Sequence, residues 1–472
     1  MKVLLIGQGP LPIEGGEKNN APGFRVWHFG RALAEAGHQV RLVGINPDPA
    51  FTTQLPRQLQ PNLSFYPTSE VDITQDNFLA KLVADEKPDA LVGASVWPSY
   101  LASLYLPSDL PFWADLFGSP LAEAQAKAAL YTDDSLIEPF ARFEQTVLGR
   151  ADVFSTVSTP QQYALVGELA LLGRLRAATY GYRFAYPIPA ATDETVLPHT
   201  ETVLRGKIVP EEAFVVLWSG GYNTWTDVDT LFAGLEGAMA LTSNLHFVST
   251  GGGLPPHDSA TYPRFCQMVE NSPYRARFHL LGWLPYETLH NYYYEANLGI
   301  ILDKWSYEGE LGSRTRLVDW LKYGLPAAVT VTAGVTAELV AAGVAFPFEH
   351  GNSQGLAALL SALANDPARI KQAAAQGQKL ALERYHYRAT CAPLVEWVAS
   401  PQRAPDAGQF NPLVAGSADT DLQKQLASLT SQIEQKNIQI AELEKWAQEM
   451  QTALNTKNGS GITRNIKKFF TK

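Results

Sequence analysis

The sequence predicts an α/β protein of two tandem parallel-sheet domains followed by a C-terminal coiled-coil helix, and three observations carry that prediction. Short apolar strands alternate with amphipathic helices from the first residues, a proline-rich stretch breaks the rhythm near the middle, and the same rhythm then restarts. The chain has 472 residues, too many for one core. At 46% hydrophobic and 18% charged residues, with 21 Phe, 19 Tyr and 10 Trp, it has the apolar surface to fold throughout. Its 37 basic and 47 acidic residues give a net charge of −10, which argues against nucleic acid as a partner. Two cysteines far apart, Cys266 and Cys391, exclude a disulfide framework and a structural zinc site, and point to the cytosol.

The elements follow in order. Residues 2–7 read as a buried strand, too short an apolar run for a signal peptide. A helix over 23–37 ends at Gly37 and a strand occupies 38–45. A helix over 76–87 and strands over 89–95, 110–117 and 151–158 continue the first domain, placed at 1–190. The linker is placed at 191–212, within a stretch (187–213) that holds four prolines. The second domain, 213–399, carries strands at 213–221, 245–253, 277–283, 297–303 and 326–331, with helices at 226–241, 286–296 and 315–324.

Residues 400–418, rich in Pro, Gly, Ala and Ser, read as a flexible tether. Over 419–457 a seam of Leu422, Leu426, Leu429, Ile433, Ile440, Leu443, Ala447, Met450 and Leu454, broken by Lys436, is spaced by fours and threes. It predicts a coiled coil with a second copy or a partner helix through 422–454. The tail 458–472 sets Arg464, Lys467, Lys468 and Lys472 beside Ile462, Ile466, Phe469 and Phe470, a pattern suited to peripheral contact with an anionic membrane. No run is long enough to span a bilayer, so the expected location is cytoplasmic, peripheral at most to the inner membrane face.

Parallel sheets bind ligands at the carboxyl ends of their strands, so the loops there are the places to search. The first loop opens with Gly7 and Gly9, but Pro12 stands where a dinucleotide fingerprint needs glycine. Gly15, Gly16, Asn19 and Arg25 read instead as a cleft loop for an anion or sugar. In the second domain, Gly312 and Ser313 precede a helix with Arg314, Arg316 and Asp319. Free amides, the helix dipole and guanidinium groups there make a diphosphate cradle. The two arginines cannot face the same way along a helix, so at most one contacts phosphate. Asp227 and Asp229 form a DxD string, but at a helix start they read as caps rather than metal ligands.

Together these segments resemble the GT-B glycosyltransferases, with two Rossmann-like domains, and in particular glycosyltransferase family 4, over roughly residues 1–400. The resemblance is carried by residues 24–44, 151–158 and 277–303, and above all by 308–340, EGELGSRTRLVDWLKYGLPAAVTVTAGVTAELV. It implies a retaining, metal-independent enzyme that moves a hexose-type sugar from a nucleoside diphosphate to a glycan or lipid-linked glycan in bacterial surface polysaccharide assembly, with no cofactor. The family's ribose-binding glutamate falls on Asp319. Its first glutamate falls on Leu311, flanked by Glu308 and Glu310, of which Glu310 is preferred. The family's arginine and lysine for the diphosphate are missing from 218–231, where Gly220, Gly221 and Asn223 remain. Gly252 and the base loop at Leu284 complete the expected donor site. On the acceptor side Trp97 and Asp115 occupy the matching positions, Asp115 as the candidate catalytic carboxylate beside Glu310. His28 and His38 read as structural. A nucleotide-sugar epimerase would need cleft acids and histidines that are not seen, and a non-catalytic scaffold acting through the coiled coil is the alternative.

Overall fold

The computed structural model describes residues 1–14, 20–75, 77–255, 257–332, 334–408, 443, 445, 447 and 448. Most of the heptad seam and all of the basic tail lie outside the described residues; Leu443 and Ala447 of the seam are helical and exposed.

Two sheets organise residues 1–408. The strands of the first are β1 Lys2–Gln8, β2 Gln39–Asn46, β3 Arg57–Gln60, β4 Leu63–Ser69, β5 Ala90–Ala94, β6 Phe112–Leu116, β7 Val153–Thr156 and β8 Ala185–Pro187. Among the described residues they run in the order β3-β4-β2-β1-β5-β6-β7-β8, parallel except for β3. The second contains β9 Phe214–Ser219, β10 Leu245–Thr250, β11 Phe278–Leu280, β12 Leu298–Ile301, β13 Ala327–Thr330 and β14 Ala345–Phe348. Its order, β11-β10-β9-β12-β13-β14, is all parallel and is the doubly wound Rossmann arrangement. The predicted strands are all present, because strands covered on both faces read as near-continuous apolar runs, as in KVLLI and FVVLW.

The helix predicted over 23–37 spans Ala21–Glu35, where Asn20 Oδ1 accepts from Gly23 N–H at 2.7 Å and closes its first turn. Each sheet carries a core on both faces. The predicted linker is not loose: Leu204 and Val209 are buried with the second sheet, and the Glu295 carboxylate accepts from the backbone N–H groups of Val203, Leu204 and Arg205.

Two boundaries differ from expectation. After the helix Pro367–Arg384 the chain returns to the first half, where Tyr387, Cys391, Leu394 and Val398 join the core around Val3, Trp27 and Trp113. Burying such side chains contributes about 1.5–3 kcal/mol each, so residues 387–399 belong energetically to the first domain. The start of the supposed tether is also docked. Arg174 and Asp406 form a buried bidentate ion pair at 2.9 Å, and Asp152 accepts from Arg403 and from the Ala404 amide. Composition alone marked 400–408 as flexible, yet a carboxylate and a guanidinium 232 positions apart hold it. Among the described residues no helix is long and apolar enough to cross a membrane.

Candidate functional site

In the second sheet the strand order reverses between β9 and β12, which opens a crevice beyond their carboxyl ends. The loop after β9 holds Gly220, Gly221 and Asn223; the loop after β12 leads into the short helix Tyr307–Leu311 and then the helix Thr315–Lys322. Trp320 fixes the latter. Its ring lies over Gly299 of β12, and its Nε1–H donates to Ser219 Oγ at 2.9 Å.

The two arginines diverge, although only Arg316 lies on the helix and Arg314 is its cap. Arg314 stands before the first helical turn and is buried between two carboxylates, donating to Asp303 Oδ2 at 2.7 Å and to Glu308 Oε2 at 2.9 Å. One cation faces two acids. Burial, with a push from Asp303 and against the pull of Arg314, moves the Glu308 carboxyl up to about 7. The expected phosphate role for Arg314 therefore gives way to a buried knot that holds the Glu308 turn. It is Glu308, not the half-buried Glu310, that the fold draws into this knot. Gly312 passes so close that a Cβ there would lie 2.5 Å from the Glu308 carbonyl oxygen.

Arg316 points the other way. Its guanidinium sits 4.7 Å over the Trp218 ring, and Nη2 donates to the Gly221 carbonyl at 3.1 Å. Its Nη1 is buried without a hydrogen-bond partner, and so is the neighbouring Ser313 Oγ. Burial lowers the guanidinium to about 10, against the pull of Asp303, so it remains a cation at neutral pH. A half-buried cation with a buried, unused donor atom, at a helix start and against a glycine loop, suits an anion.

Around it the other expected donor residues converge. Gly251 lies against Gly220, and the Tyr222 amide donates to the Gly252 carbonyl at 3.2 Å. Trp283 Nε1–H donates to the Gly253 carbonyl at 3.1 Å, which places half-buried Leu284 beside the glycine turn. Asn223 N–H donates to Thr226 Oγ1 at 3.1 Å. Asp319 accepts from Thr192 Oγ1 and faces Lys322 at 3.7 Å and Tyr286 Oη at 3.5 Å.

The first half arranges its candidates differently. Asp115 is fully buried, holding Arg25 through two hydrogen bonds of 2.7 and 3.1 Å and accepting from Ser155 Oγ at 2.6 Å. Arg25 also donates to the Ile188 and Pro189 carbonyls. The expected catalytic carboxylate and cleft cation thus form an internal ion pair tying a helix to the crossover segment, because each supplies the charge that makes burying the other tolerable. Trp97 packs among Tyr100 and Phe143, at 5.6 and 5.2 Å between ring centres. Gly15, Gly16 and Asn19 lie outside the described residues. His28 stacks on Tyr387 at 5.5 Å, a packing role.

Contacts between the halves close the cleft. Phe24 meets Tyr286 at 4.9 Å, Ser158 Oγ donates to the Leu311 carbonyl at 2.9 Å, and Phe24, Arg25, His28 and Thr315 border a void of only about 10 Å³. Sequence reasoning missed Asp303 and Ser158, each of which reads as the last residue of a strand.

Asp227 caps the helix Val228–Leu241 by accepting from Thr230 N–H and Oγ1–H at 3.1 and 2.6 Å, and Asp229 pairs with Arg264 at 2.8 Å. Among the described residues no group of three or more His, Cys, Asp and Glu side chains could hold a metal ion.

The sequence matches no known family profile and no curated protein. Solved structures do match in fold. Sucrose-phosphate synthase from Thermosynechococcus elongatus superposes with a TM-score of 0.64 at 16% identity, over 84% of this chain and 98% of that one. Anabaena HepE in complex with UDP and glucose gives 0.61 at 16% identity, over 85% and 100%. WaaG, a glycosyltransferase involved in lipopolysaccharide biosynthesis, gives 0.57 at 13% identity, over 85% and 100%. With two Rossmann-like sheets and these superpositions, this chain has the GT-B fold.

Proposed function

We propose that the chain is a retaining glycosyltransferase that moves a hexose-type sugar from a nucleoside-diphosphate donor to a glycan acceptor, in the assembly of a bacterial surface polysaccharide. The observation that carries the reading is Arg316. Its half-buried side chain keeps a buried Nη1 unused beside Gly220 and Gly221, where the family's missing arginine and lysine would reach the diphosphate. In this reading Arg316 and the loop amides bind the diphosphate and stabilise the charge that grows on it as the glycosidic bond breaks. Asp319 accepts from the ribose hydroxyls, and the Glu308 turn, with Glu310, faces the donor sugar. Because Asp115 is committed to Arg25, the leaving diphosphate itself takes the acceptor proton, which accords with retention. The arginine cradle supplies the positive potential without a metal ion. The UDP and glucose bound by HepE support the donor class.

A panel of nucleotide sugars tests this. Hydrolysis of at least one donor that persists in excess chelator is expected. Absence of nucleoside-diphosphate binding across the panel would overturn the enzymatic reading in favour of a scaffold.

A further inference from the structure

Trp305 and Tyr307 stand on the loop and first helical turn that follow β12. They are 59% and 56% exposed, and their ring centres lie 5.4 Å apart. Among the described residues Trp305 is the one exposed tryptophan. Both ends of this loop are anchored. The Lys304 amide donates to the Trp225 carbonyl at 2.8 Å, and Ser306 Oγ accepts from Gly309 N–H at 3.1 Å, capping the helix Tyr307–Leu311. His350 Nδ1 lies 2.9 Å from the Asp303 carbonyl and its Nε2 lies 3.4 Å from the Val331 carbonyl, drawing the 39% exposed Val331 to the same edge. The rings are therefore held in place on rigid backbone, at the cost of leaving apolar surface in water.

We propose that Trp305 and Tyr307 form a saccharide-binding platform for the acceptor, with the sugar's C–H faces stacked on the two rings. The assignment rests on reading the Arg316 cradle as the donor site. Tyr307 opens the same short helix as Glu308, Tyr307–Leu311, so on that reading the platform shares an element with the turn assigned to the donor sugar. The chemistry selects this occupant over others. Two rings and a valine are far smaller than the roughly 800 Å² per partner of a stable protein interface. Among the described residues no cluster of basic side chains accompanies the rings, only the exposed Lys304, which gives an anionic lipid surface little to bind, whereas neutral sugar rings offer apolar faces to the aromatics and hydroxyls to Lys304. Aromatic side chains with few rotors contribute contact area at little entropic cost.

The test uses the full chain on an array of gluco-, galacto- and manno-configured tri- to hexasaccharides, with UDP, GDP and ADP affinities measured by calorimetry. Wild type is expected to retain a subset of the saccharides. Trp305→Ala with Tyr307→Ala should lower that signal at least about tenfold, about 1.4 kcal/mol, with nucleotide affinity within about twofold of wild type. Trp305→Phe should keep most of the signal. A wild type that binds no saccharide, an unchanged array profile in the double variant, or a parallel loss of nucleotide affinity would each overturn the platform. Loss of saccharide binding in a protein that never bound a nucleotide would uphold the platform and refute the donor reading instead.

Discussion

Arg314 and Arg316 are two residues apart with the same charge, yet their surroundings give them opposite energetic roles. Removing Arg314 leaves Asp303 and Glu308 buried without their cation, so Arg314→Ala should destabilise the fold by about 3–5 kcal/mol. Removing Arg316 deletes a half-buried cation with no carboxylate among its hydrogen-bond partners. Arg316→Ala should therefore melt close to wild type while losing at least about tenfold in nucleoside-diphosphate affinity, about 1.4 kcal/mol. Thermal melts and calorimetry of the two single variants decide this, and the reverse pattern would exchange the roles. Glu308 adds a pH signature. Its folded carboxyl, raised to about 7 from 4.5, keeps a proton that the unfolded chain has already released. Its contribution therefore weakens stability as pH rises from 4.5 through 7, by at most about 3 kcal/mol. Glu308→Gln should remove that part of the slope, so urea unfolding at pH 5 and pH 7.5 should show the variant gaining relative to wild type at the higher pH. These roles were only half legible in the sequence. The sequence places both arginines on one helix and so diverging, whereas Arg314 stands at the cap outside it, and which one met acids depended on Asp303, just after β12.

At the scale of elements, the proposed donor side is a set of turns pressed together by small residues. Gly251 touches the turn after β9 so closely that a Cβ would lie 1.8 Å from the Gly220 carbonyl oxygen. Gly251→Ala must therefore separate the two turns. Overpacking of this kind typically costs about 1–3 kcal/mol, and the displaced Gly220–Gly221 backbone should lose nucleotide affinity at least as strongly as Arg316→Ala. A melt and a titration of the folded variant check it; wild-type affinity would mean that the glycine loop does not line the donor site. The strands and helices around these turns were legible because their periodicity is local. Strands β3, β4, β8 and β14 were not. They are short or interrupted by Pro67, Pro187 and Pro347, and their pairing depends on neighbours rather than on pattern.

In the molecule as a whole, the chain crosses between its halves and comes back. The return ends in residues 403–406, and it changes where the protein can be cut. Truncation after Ser400 removes Asp406 and leaves the Arg174 guanidinium buried without its carboxylate, a loss of about 3–5 kcal/mol. Truncation after Phe410 keeps that pair and should melt near the full chain; equal melting of the two truncations would show the pair to be idle. By itself the sequence determined the architecture: apolar runs and amphipathic periods are properties of neighbouring residues, and they specify two parallel sheets, their connecting helices and the loops that face the crevice. It also singled out Gly312 to Asp319 as the segment to search, though not the internal partners that Arg314 finds. Only the tertiary structure decided which charges meet. Arg25 with Asp115, Arg314 with Asp303, and Arg174 with Asp406 are partners brought together by the fold across 90, 11 and 232 positions. A buried charge is neutralised by whatever the fold sets within a few ångströms of it, and that distance is not written in the order of the residues.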